Sequence, residues 1–179
     1  KRGFTDRDFL KYNIGYCTSG EYSGRVIIPS YNENNQLNFF VGRTFEDAYH
    51  KYRNPECSKD IIGFENLINW AQPIILVEGV FDAIAVKRNA VPVLGKSLSK
   101  SLIKKIVSSQ VEDIYVALDR DAFKKALSYT EQFLNMGKKV YLVDMQDKDP
   151  SEMGFASFTR YVQQAEEMDF GKLLRYKLS

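Results

Sequence analysis

Six carboxylates in this chain are spaced in a way that can do chemistry. Asp119 and Asp121 are two positions apart and directly follow the unbroken apolar run Ile114-Tyr115-Val116-Ala117-Leu118. Glu78 follows a second such run, Ile74-Ile75-Leu76-Val77, and is itself followed by Gly79 and, four positions on, by Asp82. Asp149 lies in the polar stretch Asp147-Lys148-Asp149-Pro150-Ser151-Glu152 after a third run, Lys139 to Met145, and Asp147 shares that stretch. Carboxylates brought together repel one another unless a cation joins them. Oxygen ligands of this kind suit Mg²⁺ or Mn²⁺, and Mg²⁺ held by a few carboxylates typically serves phosphate chemistry. The plain alternative is a set of solvated strand ends, since Asp is common in turns.

Whether the acids meet depends on the elements that carry them. From Ile74 onward, apolar strand-like runs alternate with helix-like segments. The expected strands are 74–78, 91–95, 114–118 and 139–145. The expected helices are Val80 to Arg88, Lys100 to Ser108 with Ser99 as its cap, and Ala122 to Met136 ended by Gly137. Regular alternation predicts a parallel sheet with helices on its faces. In such sheets ligands bind outside the carboxyl ends of the strands, which is where Glu78, Asp119, Asp121 and the 147–149 loop would all lie. Two further helices, 155–168 and 170–176, are expected to finish the chain.

The first part reads differently. Thr5 caps a short helix from Asp6, and Arg25 to Pro29 with Leu37 to Val41 form an antiparallel hairpin around a polar turn. Tyr49 to Pro55 reads as a polar, aromatic and cationic loop, and Ile61 to Asn69 as a short helix. Gln72-Pro73 marks the boundary. The expected organisation is therefore a small α+β unit (1–72), an α/β unit with a four-stranded parallel sheet (73–154), and C-terminal helices (155–179).

Composition narrows the class. The 179 residues are 44% hydrophobic and 27% charged, with a formal net charge of +2, as in an ordinary globular protein. No apolar run reaches the roughly 18 residues that span a bilayer, so no membrane association is expected. His50 is the single histidine, and Cys17 and Cys57 stand far apart. No zinc-ligand spacing exists, and two thiols without a disulfide framework fit a reducing cytoplasm. The first residue is Lys1, not Met, which suggests a piece of a longer protein.

The acids also carry a family resemblance. Val77-Glu78-Gly79 with Asp82, then Leu118-Asp119-Arg120-Asp121, then Lys148-Asp149-Pro150-x-Glu152 resemble, in order and spacing, the three motifs of the toprim domain of primases, topoisomerases and some nucleases. Leu94-Gly95-Lys96-Ser97-Leu98 is similar to the segment that lies between them. Upstream, Gly24-Arg25-Val26-Ile27-Ile28-Pro29, Phe40-Val41-Gly42-Arg43 and Lys51-Tyr52-Arg53-Asn54-Pro55 resemble the N-terminal subdomain of the DnaG-type primase RNA polymerase core, in a short form more similar to phage primases.

The resemblance implies a Rossmann-like toprim fold and template-directed synthesis of short RNA primers on single-stranded DNA from ribonucleoside triphosphates. It also implies two or more Mg²⁺ or Mn²⁺ ions and a replicative helicase, fused or separate, as partner. It implies Glu78 as general acid/base or metal ligand, and Asp119, Asp121 and Asp149 as metal ligands, with Asp82 and Asp147 as further candidates. Arg25, Arg43, Lys51, Tyr52, Arg53 and Asn54 would hold nucleotide and template. Departures from the pattern are Ala122-Phe123 where relatives commonly have Ala-Gly, and Ser151 where many have another acid. The zinc-binding domain that usually precedes this core is not in the sequence, which predicts weak or non-specific activity for the chain alone. A toprim nuclease and a non-catalytic nucleic-acid module are the alternatives. Against the first stands the basic N-terminal half, and against the second the intact acids.

Overall fold

The computed structural model describes residues 3–46, 49–95, 97–145 and 149–178. Lys96, Asp147 and Lys148, singled out above, lie outside the described residues.

The first unit begins with α1 (Asp6–Lys11) and continues as β1 (Gly15–Cys17), β2 (Arg25–Tyr31), β3 (Leu37–Arg43) and β4 (Tyr52–Arg53). These strands make an antiparallel sheet in the order β1-β2-β3-β4. The expected hairpin is present and runs two residues further on each strand. The expected loop after it contains β4, a two-residue strand paired with Gly42 and Arg43, too short to leave a period in the sequence. The stretch 61–69 holds one 3₁₀ turn, Glu65–Leu67, in place of the expected helix.

The second unit carries β5 (Ile74–Val77), α2 (Val80–Val86), β6 (Ala90–Pro92), α3 (Lys100–Ser108), β7 (Asp113–Ala117), α4 (Phe123–Asn135), β8 (Lys139–Leu142), α5 (Pro150–Gln163), β9 (Glu166–Met168) and α6 (Phe170–Leu178). The sheet order is β6-β5-β7-β8-β9. The four strands expected to be parallel are parallel. A fifth, β9, joins antiparallel at the edge, so the sheet is mixed. Its sequence lies within the segment expected to be helix up to 168. Glu166-Glu167-Met168 has one apolar residue, and the strand exists because the edge of β8 is available to pair. Helix α5 also starts earlier than expected, at Pro150, with Asp149 as its cap, and bends at Gly154, whose φ of 76° suits a residue without Cβ. The boundary placed at 154 by sequence therefore falls inside a helix.

Strand periodicity divides the core in two. Ile74, Leu76, Ile114, Val116, Val140 and Leu142 face α3, α4 and α6, where Leu102, Ile106, Phe133 and Leu173 are buried. Ile75, Val77 and Ala117 face the other way, toward α2 and Phe158 of α5. That second cluster also takes in Ile28, Phe39 and Val41 of the hairpin and Tyr12 after α1, so the first unit packs on the same sheet.

A buried carboxylate joins α1 to α2. Asp8 accepts from the Thr5 backbone N–H and hydroxyl, both at 2.8 Å, and lies 3.2 Å from the Lys87 ammonium. Burial acts to raise its pKa, but the Thr5 donors and Lys87 outweigh that and hold the carboxyl below its usual value. A depressed carboxyl pKa stabilises the fold above the unfolded value of about 3.9, and the contribution is lost as pH falls through the folded value. Asp8→Ala should therefore cost about 1–3 kcal/mol at pH 7, with a melting temperature lower by about 2–4 °C per kcal/mol. Thermal melts of both proteins should converge toward pH 3.

Candidate active site

Glu78 and Asp119 are brought together by strand register. Val77 pairs with Ala117 in neighbouring parallel strands, so the residues just past them emerge side by side at the carboxyl edge. Asp121 follows in a 3₁₀ turn, Arg120–Ala122, that links β7 to α4. One carboxylate oxygen from each of Glu78, Asp119 and Asp121 lies within 4.8 Å of the other two. Asp82 and Asp149 line the same cleft, whose volume is about 520 Å³.

The acids are not equivalent. Asp82 accepts the Gly79 backbone N–H at 3.1 Å, closing the first turn of α2. Asp149 caps α5, accepting the Glu152 backbone N–H and the Ser151 hydroxyl, both at 2.7 Å. Ser151, the departure noted in the sequence, is buried and spends its hydroxyl on this bond. Asp119 is different: its Oδ1 is buried with no hydrogen-bond partner among the described residues. Its pKa is pushed up to about 7, first by burial and then by Asp82, Glu78, Asp149 and Asp121. An orphaned carboxylate oxygen among like charges is the arrangement that a hard cation relieves. The donor set of Glu78, Asp119 and Asp121 therefore fits a divalent ion bound through oxygen.

The opposite wall comes from the first unit. Tyr52, Asn54 and Lys59 line the cleft, and the Asn54 Oδ1 is buried without a partner among the described residues. Arg43 stands behind Tyr52. Its guanidinium donates to the Tyr52 hydroxyl at 2.8 Å and lies 5.0 Å from the centre of that ring and 4.9 Å from the centre of Phe81. Of the basic ridge expected from sequence, the rest does not line this cleft. Arg53 turns to Glu21 at 2.5 Å and lies over Tyr22. Arg25 donates to the carbonyls of Lys51 and His50 at 3.4 and 3.5 Å. The Lys51 carbonyl also accepts the Thr44 N–H, and Lys51 is exposed.

Two cleft residues were absent from the sequence-based set. Lys125 falls four positions after Asp121, one turn into α4, a spacing that could have flagged it. Lys59 sits in an irregular segment and leaves no signal. That segment is fixed by bonds to the start of α3: Asp60 accepts the Ser101 N–H at 2.8 Å, and the Ser99 hydroxyl donates to the Ile61 carbonyl at 2.8 Å.

No family model matches the chain. It is 33% identical over 159 residues to the uncharacterized protein MG010 homolog of Mycoplasma pneumoniae, covering 83% of this chain and 74% of that protein. The chain belongs to the family of that mycoplasmal protein. It is also 28% identical over 201 residues to the DNA primase of Thermotoga maritima, covering 85% of this chain and 35% of that enzyme. Among solved structures, the Aquifex aeolicus primase (zinc-binding and RNA polymerase domains) superposes with a TM-score of 0.77 at 24% identity, covering 93% of this chain and 54% of that one. The E. coli primase catalytic core gives 0.77 at 19% identity, covering 99% and 74%. This member of the MG010 family thus has the fold of a DnaG-type primase catalytic core and is homologous to DNA primases. It spans about a third of the length of the curated DNA primase. No helix among its described residues is long and apolar enough to cross a membrane.

Two outcomes follow from the site. The raised pKa of Asp119 means that the metal-free fold keeps a proton that the unfolded chain has lost, so this group's contribution to stability falls as pH rises from about 4 to about 7. The melting temperature of Asp119→Asn, relative to wild type, should rise across that interval in chelator. Millimolar Mg²⁺ at pH 7.5 should raise the wild-type value and leave the variant nearly unmoved. Separately, a Cβ at Gly42 would stand 2.5 Å from the Arg53 carbonyl oxygen. Gly42→Ala should push β4 away from β3 and lower stability by about 1–3 kcal/mol, read as a drop in melting temperature.

Proposed function

We propose that this chain is a DNA primase catalytic core, which joins ribonucleotides into short RNA primers on a single-stranded DNA template by metal-dependent nucleotidyl transfer. The observation that carries the reading is the convergence of Glu78, Asp119 and Asp121 within 4.8 Å at the edge of a sheet with the primase-core fold. Support comes also from a solved neighbour, a DnaG primase catalytic domain bound to single-stranded DNA, with a TM-score of 0.76 at 20% identity.

In this reading Glu78, Asp119 and Asp121 hold Mg²⁺ or Mn²⁺, with Asp149 and Asp82 completing the charge around them and Asp147 as a further candidate ligand. The bound ion supplies Lewis-acid charge at a phosphoryl oxygen. The protein's own groups bind and orient. Lys59 takes phosphate oxygens by charge-assisted hydrogen bonds. Tyr52, stiffened by Arg43, stacks on a base. The unpartnered Asn54 oxygen accepts from a ribose hydroxyl or a base amino group. Glu78 is the base for the primer 3′ hydroxyl. Arg25, Lys51 and Arg53, outside the cleft, meet the template backbone as it leaves. Residues 1–72 then serve as the nucleotide- and template-binding unit and 73–154 as the catalytic unit. Residues 155–179 pack on the catalytic unit, where β9 adds the edge strand. A replicative helicase is the partner this activity implies, in the cytoplasm.

The test supplies single-stranded DNA, labelled ribonucleoside triphosphates and Mg²⁺ or Mn²⁺. Wild type should make short RNA, and Asp119→Ala or Asp121→Ala should lower the yield on the order of 10²-fold or more. Template degraded without RNA would move the assignment to a nuclease. DNA bound but neither lengthened nor cut would make the chain a binding module.

A further inference from the structure

Lys125 is the cation that the structure pairs with Glu78. The lysine reaches the cleft from the first turn of α4, passing over the ring of Tyr129, whose centre lies 5.8 Å from the ammonium. The ammonium donates to the Gly95 carbonyl at 2.9 Å and stands 3.9 Å from a Glu78 carboxylate oxygen. Its side chain is 20% exposed and opens on the acidic cleft. The three contacts differ in kind. The bond to Gly95 is short and fixes the ammonium between two loops. The approach to Glu78 is long for a salt bridge, so the carboxylate is attracted without being locked. Tyr129 gives shape: its buried hydroxyl has no partner among the described residues.

An ammonium has three donors and no acceptor. One goes to Gly95, one points toward Glu78, and the cleft is open to the third. The position also matters electrostatically. Four carboxylates surround Asp119, and a fixed positive charge at their edge lowers the repulsion without filling the space between them. The same charge repels an entering cation, which must draw Glu78 away from Lys125.

We propose that Lys125 is the resident counter-ion of the acidic cluster: it holds Glu78 in the cation-free protein, competes with the divalent ion for that carboxylate, and transfers to a phosphate oxygen when a metal–nucleoside triphosphate complex enters. The inference rests on the reading of the cleft as a nucleotidyl-transfer site. Its consequence is an order of loading. A free divalent ion binds weakly against Lys125, whereas a metal–triphosphate complex brings negative charge that Lys125 can meet. Ion and nucleotide therefore enter together.

The experiment measures Mn²⁺ binding to the whole chain by electron paramagnetic resonance of the free ion, without nucleotide or nucleic acid, and Mg·GTP binding by calorimetry. Lys125→Met should bind Mn²⁺ roughly three- to fivefold more tightly than wild type and Mg·GTP about tenfold more weakly. Lys125→Arg should stay within about twofold of wild type on both. Equal or weaker Mn²⁺ binding by Lys125→Met, or unchanged Mg·GTP binding, would overturn the proposal. Should Lys125→Met fail to fold by circular dichroism, Lys125→Gln, which keeps a donor for Gly95, carries the same expectations. Asp119→Asn keeps the two levels apart. If that variant binds Mn²⁺ as wild type does, the metal site itself is wrong. If it binds more weakly while Lys125→Met changes nothing, only the role of Lys125 falls.

Discussion

Like charges held at one edge of a sheet are the constraint on which this structure depends. Glu78, Asp82, Asp119, Asp121 and Asp149 would separate if the chain allowed it, and the Asp119 pKa is pushed up to about 7, first by burial and then by its neighbours' charge. Nothing local in those residues brings them together. What does is the parallel register of β5 and β7, which sets Val77 against Ala117 and delivers their successors to one place. The register is in turn fixed by burial on both faces. A slip of one residue would send Ile74 and Leu76 to the face of Ile75 and Val77 and reverse every contact with α2, α3 and α4. The hydrophobic core thus supplies the free energy that keeps the acids close, and the site inherits the rigidity of the most buried strands.

The first unit adds the other wall, and its attachment explains why the basic residues divide as they do. Arg43 reaches the second unit by lying against Phe81, three residues after Glu78, and Tyr52 meets the same ring. A guanidinium packed against two rings and bonded to a tyrosine hydroxyl is a structural joint as much as a charge. Tyr52 gains a fixed orientation from it. Arg53, next in sequence, must point to the other face of its strand, because successive side chains alternate, and there it meets Glu21 and Tyr22.

Much of this was legible in the sequence, for reasons that also mark the limit. The four parallel strands announce themselves as apolar runs because β5 and β6 are buried throughout and β7 and β8 bury one face fully and the other in part. Ser99 and Gly137 mark helix ends by capping chemistry that acts over a few residues, and the structure has Ser99 accepting the Leu102 N–H and Gly137 at a φ of 74°. The acids follow from strand ends. What escaped reading depends on partners far along the chain. The strand β9 is polar and short, and forms against β8. The strand β4 is two residues held by β3. Lys59 reaches the cleft because Ser99 and Ser101 bind its neighbours, a link across some 40 positions that no local pattern contains.

Hydrogen bonding also sorts the acids into two groups that composition treats as one. A carboxylate that accepts backbone N–H groups is already satisfied and acts as a fixed part of the frame. Asp82 and Asp149 are of this kind, each closing a helix start, and their charges shape the cleft from set positions. Asp119, at the N-cap of the 3₁₀ turn, makes no side-chain capping bond, and one of its buried oxygens has no partner among the described residues. The frame is satisfied and the centre is not. An ion entering the cleft therefore meets a carboxyl oxygen that has no hydrogen bond to break and only a proton to release, beside neighbours already bonded to the frame.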